Sequence, residues 1–108
     1  MADLDFDLTV ALDEHGACRM TLRGELDLAT AGRLEQALAE AGDAVLLDLR
    51  GLTFMDSTGV RLLVQAHLRS TADSERLTLL RGQAAVQRVL QLSGVDVLLP
   101  FADGAGRL

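Results

Sequence analysis

The chain lacks several residue types whose absence restricts what it can bind. It has no Lys, no Trp and no Tyr, so all ten of its basic residues are Arg. Sixteen acidic residues give it a formal net charge of −6. Nucleic-acid binding needs a cationic stripe that displaces counterions from phosphates, and this sequence has no cluster of basic residues. The same net negative charge disfavours binding to an anionic membrane surface. We therefore expect no direct nucleic-acid partner and no membrane partner.

Cysteine is also scarce, and no metal-ligand pattern is present. The single cysteine, Cys18, cannot form an internal disulfide, and there is no Cys-X-X-Cys motif or His cluster to bind zinc. We predict no metal site and no cofactor. Residues 1–7 contain three Asp where a secretory signal would be basic, and no apolar run approaches the roughly 18 residues that cross a bilayer. These features predict a cytoplasmic protein.

Hydrophobic periodicity predicts strands that alternate with helices. A period of two indicates strands at residues 6–12 and 18–22, joined by a turn at 13–16, with Gly24 ending the second strand. Helical spacing predicts helices at residues 31–41, 58–70 and 83–93, the first with Thr30 as N-cap and Gly42 as its stop. Short apolar runs predict strands at residues 44–47 and 77–80. Alternation of apolar and polar residues predicts a last strand at 95–99. Residues 103–108 are expected to form a loose tail.

This order of elements indicates the fold class. Helices of about eleven residues between strands predict βαβ crossovers onto one sheet, with an antiparallel hairpin at the N-terminal end. The predicted fold is therefore α/β, a sandwich with a mixed sheet in which the hairpin is followed by βαβ units. At 108 residues the chain has the length of a single domain.

The most informative segment is residues 49–60, which are predicted to leave a buried strand, cross a turn and enter a helix. This places the Ser57 hydroxyl at or near a helix N-terminus, where unpaired amides and the helix dipole attract anions. In the simpler interpretation, Asp56 or Ser57 only caps the helix. In the second, Ser57 is a phosphorylation site whose phosphate, of about −1.5 to −2 charges, the helix amides hold. The two interpretations are compatible.

Two motifs carry a resemblance to a known family. Gly24-Glu25-Leu26-Asp27 is followed by Ala29-Thr30-Ala31, and Phe54-Met55-Asp56-Ser57-Thr58-Gly59 follows at matching spacing. Together they resemble the STAS domain of bacterial anti-sigma factor antagonists, and Leu92-Ser93-Gly94-Val95 is similar to the end of that family's third helix. The resemblance covers residues 8–101. It implies a STAS-like fold and a single STAS domain over residues 1–108.

The resemblance implies a partner switch without enzyme activity of its own. Ser57 would be phosphorylated by an anti-sigma factor serine kinase that uses ATP. The unphosphorylated chain would bind that kinase and free a sigma factor, the phosphorylated chain would release it, and a metal-dependent protein phosphatase would reset the switch. Asp27 and Asp56 are the matching acidic positions on the kinase-facing surface, and Gly59 would permit close approach of a partner backbone. Thr58 stays open as a secondary acceptor.

The stretch after Gly59, Val60-Arg61-Leu62-Leu63-Val64, departs from the family pattern, since some members have a second small residue and fewer bulky ones there. Arg61 lies near the first turn of the predicted helix. It could pair with a phosphate or with an acidic partner. Alternatively, Arg61, Gln65 and Arg69 follow helical spacing and form only the solvated stripe of the second helix.

Other interpretations of the polar residues are structural. Glu25 and Asp27 are more typical of a solvated strand–helix junction than of a catalytic pair. Cys18 occupies an inward-facing position of its predicted strand, so we expect it to be an inert core residue. A Ser57 hydrolase nucleophile would need His within about 3 Å. His67 lies ten residues along the same predicted helix, about 15 Å away, where we expect a partly buried structural role. His15 could reach Ser57 only through an unproven tertiary contact.

The alternative function is a STAS-like scaffold subunit of a lipid- or solute-transport complex, with an unphosphorylated serine.

Overall fold

A computed structural model describes residues 5–42, 44–73 and 76–102, and in these ranges four strands and three helices follow one another. They are β1 (Phe6–Leu12), β2 (Cys18–Leu26), α1 (Ala31–Glu40), β3 (Ala44–Met55), α2 (Ser57–Ala72), β4 (Arg76–Leu80) and α3 (Ala84–Leu92). The strands form one sheet in the order β1-β2-β3-β4. β1 and β2 pair antiparallel, whereas β2, β3 and β4 are parallel. The predicted α/β fold, with a mixed sheet and an N-terminal hairpin, is confirmed.

The core lies between one face of the sheet and the helices. Alternate residues of β2 are buried while Arg19 and Arg23 between them are exposed, as expected for a strand with one covered face. Buried side chains from all four strands and all three helices form a single cluster, to which β1 contributes Phe6. Its fully buried members include Met20, Leu22, Leu26, Leu34, Leu47, Leu49, Leu52, Leu63, Leu79, Val86 and Leu90. Each buried Leu contributes about 2 kcal/mol of hydrophobic stabilisation. Cys18 is buried in this cluster, as predicted, and burial raises the pKa of its thiol.

The opposite face of the sheet carries one buried charge. Asp48 is 4% exposed because two arginines cover it. Arg50 donates to its carboxylate through Nε and Nη2, both at 2.9 Å, and Arg19 donates through Nη2 at 3.0 Å. These hydrogen bonds, chiefly those from Arg50, lower the pKa of Asp48 to about 2 despite the opposing effect of burial.

Two predicted strand boundaries are wrong. β2 continues through Gly24 to Leu26, because Gly24 adopts a φ of +89° and the register with β3 shifts on either side of it. β3 likewise does not stop after Leu47 but extends over twelve residues to Met55. The predicted turn between this strand and the second helix is therefore reduced to Asp56 alone.

Two further predictions fail near helix ends. Helix α1 ends at Glu40, one residue before its predicted last residue, Ala41, which is instead an extended C-cap. The predicted strand at residues 95–99 is a series of turns, in which the Leu98 and Leu99 N–H groups donate to the Val95 carbonyl. Beyond it, Phe101 forms an isolated parallel bridge with Leu79. The predicted tail at residues 103–108 lies outside the described ranges.

None of the helices in the described ranges is long and apolar enough to cross a membrane.

Candidate functional site

Ser57 lies at the junction between β3 and α2. The strand ends at Met55 and the helix begins at Ser57, one residue earlier than predicted. The N–H of the intervening Asp56 donates to the Leu26 carbonyl at 3.3 Å, which ties the junction to the end of β2. The Ser57 side chain is exposed. The fold therefore presents this hydroxyl to solvent on the first residue of a sixteen-residue helix.

Asp56 is the N-cap of α2, which decides between the two capping candidates. Its Oδ1 accepts the N–H of Thr58 at 2.9 Å and that of Gly59 at 3.3 Å. Its carbonyl accepts the Val60 N–H at 3.1 Å. The carboxylate of Asp56 therefore occupies two of the helix amides that were expected to hold a phosphate on Ser57, and a phosphate could use those two only by displacing it.

Gly59 has a different role from the predicted one. It is buried, and a Cβ at this position would lie 2.7 Å from Cγ of Met55 and 3.1 Å from Cδ2 of Leu26. The expectation that Gly59 admits a partner's backbone is therefore wrong, since it faces the ends of β2 and β3. It lets α2 pack closely on the sheet. Thr58 beside it is half-buried, so its hydroxyl is less accessible than that of Ser57.

Asp27 orders the loop between β2 and α1. Its Oδ1 accepts the N–H groups of Ala29 at 3.0 Å and Thr30 at 3.2 Å. Thr30 occupies the predicted N-cap position of α1, but its side chain makes no capping hydrogen bond. It donates instead to the Glu25 carbonyl at 2.8 Å. Asp27 directly follows Leu26, whose carbonyl binds the Asp56 N–H, so the two acidic residues lie at the same edge of the sheet.

Arg61 is exposed one helical turn after Ser57. With Thr58 of its own helix and Glu35 of α1 it lines a shallow groove between the two helices. Within the described ranges, no carboxylate lies within 4.0 Å of its guanidinium group. Gln65 and Arg69 are exposed as well, so the predicted solvated stripe is present.

Two large apolar side chains at this edge were missed by the sequence analysis. Leu28, in the Asp27 loop, is 77% exposed, and Phe54, three residues before Ser57, is 46% exposed. Leu28 could have been identified in the sequence as an apolar residue in a polar loop. Phe54 and Met55 are consecutive apolar residues, and a strand with one covered face buries only one of such a pair. We call Asp27, Leu28, Phe54, Asp56, Ser57 and Arg61 the acceptor surface. It combines a hydroxyl, charges of both signs and exposed apolar area, as protein-docking surfaces do.

The histidines are not placed to activate Ser57. His67 is half-buried in α2, ten residues after Ser57, as predicted. His15 lies in the β1–β2 turn, at the opposite end of the nine-residue β2 from Leu26, a separation of about 26 Å along the strand. In the part of the chain that the structure describes, no three His, Cys, Asp or Glu side chains are grouped as metal ligands.

The chain resembles known proteins in both sequence and structure. The family model described as "Mlab, STAS domain" matches residues 10–100. The anti-sigma-F factor antagonist RsfB of Mycobacterium tuberculosis is 30% identical over 93 residues, covering 82% of this chain and 75% of RsfB. The crystal structure of an anti-sigma factor antagonist from Mycobacterium paratuberculosis is similar with a TM-score of 0.78 and 26% identity, covering 93% of this chain and 90% of that one. The structure of the anti-sigma factor antagonist SpoIIAA in its unphosphorylated form is similar with a TM-score of 0.70 and 25% identity. The match covers 89% of this chain and 88% of SpoIIAA.

Proposed function

Since the chain belongs to the STAS domain family, we propose that it is an anti-sigma factor antagonist controlled by phosphorylation of Ser57. The unphosphorylated chain binds an anti-sigma factor serine kinase and so frees a sigma factor. Phosphorylation ends this binding, and a metal-dependent protein phosphatase restores it. The observation that carries the proposal is the exposed Ser57 hydroxyl on the first residue of α2, beside the capping carboxylate of Asp56.

The chain serves as the phosphoryl acceptor, and the chemistry belongs to its partners. In the kinase reaction, Oγ of Ser57 forms a bond with the γ-phosphorus of ATP, the bond to the β-phosphate oxygen breaks, and ADP leaves. The hydroxyl proton passes to a base on the kinase or to solvent. The phosphatase reverses the modification by hydrolysis, in which water supplies the oxygen of the inorganic phosphate and Ser57 regains its proton. We therefore propose that the protein itself is not an enzyme.

Electrostatics explains why the modified chain would release its partner. A phosphate adds about −1.5 to −2 charges. Asp56 already holds the amides of Thr58 and Gly59, so the phosphate cannot be neutralised there without displacing a carboxylate. Asp27, at the same edge, adds further negative charge. Burying the phosphate in an interface costs desolvation and repulsion energy, and a cost of about 2.7 kcal/mol is already a hundredfold loss of affinity.

The acceptor surface supplies the rest of the proposed interface. Leu28 and Phe54 contribute apolar area, while Asp27, Asp56, Thr58 and Arg61 contribute polar contacts around the acceptor. Gly59 supports this surface from below by allowing α2 to pack on the sheet. Because Ser57 is on a helix rather than a free loop, docking does not require a loop to be ordered. We propose one STAS domain over residues 1–108, acting in the cytoplasm where its sigma factor would be.

A second function is favoured by one feature away from Ser57. Leu92 at the end of α3 and the following Val97 and Leu98 are exposed, Val97 by 88%. A scaffold subunit of a lipid- or solute-transport complex would need a persistent apolar interface of this kind. Such a subunit would not need phosphorylation of Ser57, so the modification distinguishes the two functions.

The test is intact-mass measurement after incubation with ATP and candidate anti-sigma kinases. The proposal predicts one phosphate on the wild-type chain and on Thr58→Ala, and none on Ser57→Ala. A phosphate that persists on Ser57→Ala but is lost from Thr58→Ala would move the acceptor to Thr58 and contradict the proposal for Ser57. If no candidate kinase modifies the wild-type chain, the scaffold function is favoured.

A further inference from the structure

We propose that Arg61 is the internal counter-ion of phosphorylated Ser57, so that phosphorylation captures a guanidinium group that is free in the unmodified chain. This proposal rests on the proposed modification of Ser57 and concerns what the phosphate does once it is attached. It assigns Arg61 a role in the modified chain itself, in addition to its place on the surface that faces a partner.

The spacing of the two residues favours the contact. Ser57 and Arg61 are four residues apart within α2, and residues at this spacing lie on the same face with Cβ atoms about 5–6 Å apart. The anion would be on the N-terminal side of the cation, which is the more favourable order along a helix. A phosphate extends further from the helix than a serine hydroxyl, and the long Arg side chain reaches back toward the N-terminus. The two groups therefore meet without a change in the backbone.

Within the two strand–helix junctions Arg61 is the available cation, and Arg23, just before them, lines a separate depression with Glu25 and Thr53. The described residues 25–35 and 53–65, which form the two strand–helix junctions, contain only Arg33 and Arg61 as basic residues. Arg33 donates to the Phe6 carbonyl at 3.2 Å and stacks over the Phe6 ring at 5.0 Å, so it is already engaged. The carboxylates facing this region are Glu25 and Asp27 from the β2 end, Glu35 from α1 and Asp56 from the helix cap.

Two of the amides at the helix end are already occupied in the unmodified chain. Asp56 occupies the N–H groups of Thr58 and Gly59. Glu35 lines the same groove as Arg61 but lies more than 4.0 Å from its guanidinium group, so Arg61 is not held by an ion pair before modification. A phosphate on Ser57 therefore has an unoccupied counter-ion one turn away. Once Arg61 is paired with the phosphate, its guanidinium group is no longer available to an acidic partner.

The experiment measures the second pKa of the phosphate by ³¹P NMR, in full-length chain carrying phosphoserine at position 57. The phosphoserine is incorporated during synthesis, so no kinase is required, and the result is independent of whether a kinase ever modifies Ser57. The free group titrates near pH 6. Because Arg61 favours the dianion, we expect this pKa to be about 0.15–0.4 units lower in the wild-type chain than in Arg61→Gln at low salt. At about 1 M salt the difference should disappear, since screening weakens the pair.

Two further variants make the result specific. Arg61→Lys should retain part of the shift, because it keeps the charge but not the planar geometry. Arg69→Gln removes the same charge from the same exposed stripe two turns further on, and it should titrate like the wild-type chain. Equal phosphate pKa values in the wild-type chain and Arg61→Gln at low salt would overturn the proposal. So would an equal effect of Arg69→Gln, because it would show a general effect of net charge.

Discussion

The tight packing of α2 on the sheet can be tested with a matched pair of glycines. Gly59 and Gly32 both lie in the first turn of a helix, but their surroundings differ. A Cβ on Gly59 would lie 2.7 Å from Cγ of Met55, well inside the optimal carbon–carbon distance of about 3.5–4 Å, whereas a Cβ on Gly32 would have nothing within 4 Å. Helix propensity alone favours Ala over Gly by up to about 1 kcal/mol at either position.

The two substitutions should therefore have opposite signs. Gly32→Ala should raise the free energy of unfolding by about 0.5 kcal/mol. Gly59→Ala should lower it by about 1–2 kcal/mol, because overpacking of about 1–3 kcal/mol exceeds the gain in propensity. For a chain of this length, 1 kcal/mol corresponds to about 4 °C in Tm. Urea and thermal unfolding of the three proteins measure both effects. If Gly59→Ala is stabilised as much as Gly32→Ala, the close contact of α2 with Met55 and Leu26 is refuted.

Two further predictions concern carboxylates. Asp56→Ala removes the acceptor for two helix amides and should cost about 1 kcal/mol of stability. Asp56→Asn keeps an acceptor and should cost less than half of that. Equal losses of stability for the two variants in urea unfolding would argue against the cap. The pKa of Asp48 in the folded chain, about 2, is below its ordinary value of 3.8. Its ion pairs therefore stabilise the fold by about 2 kcal/mol above about pH 4. This contribution is lost as pH falls from 4 toward 2. The stability of Asp48→Asn should accordingly fall less over that interval, and parallel pH profiles for the two proteins would contradict the assignment.

The parts of the fold that were predictable are those specified by local pattern. The hairpin follows from strict alternation on both sides of a turn that contains Gly16, which adopts a φ of +84°. The Ser57 site was also local, since the capping carboxylate is the neighbouring residue. A strand, a cap and the start of a helix all lie within a few residues there, so short-range rules suffice.

The errors arise where distant residues decide the outcome. The segment after Leu47 resembles a turn in sequence because charged residues interrupt the apolar run, but pairing with β2 on one side and β4 on the other continues the strand, and Arg19, 29 residues away, joins Arg50 in binding Asp48. Alternation over 95–99 lacks a strand partner, so it forms turns instead. The role of Gly59 depends on Leu26, which is brought beneath it only by the sheet. None of these neighbours can be identified from local periodicity.

The measurement that tests the central claim most directly is a binding titration against the anti-sigma kinase. Unmodified chain, chain with phosphoserine at position 57 and Ser57→Ala should be titrated under the same conditions. We predict that Ser57→Ala binds like the unmodified chain and that the phosphorylated chain binds about a hundredfold more weakly, corresponding to about 2.7 kcal/mol. Equal affinity of the phosphorylated and unmodified chains would contradict the account.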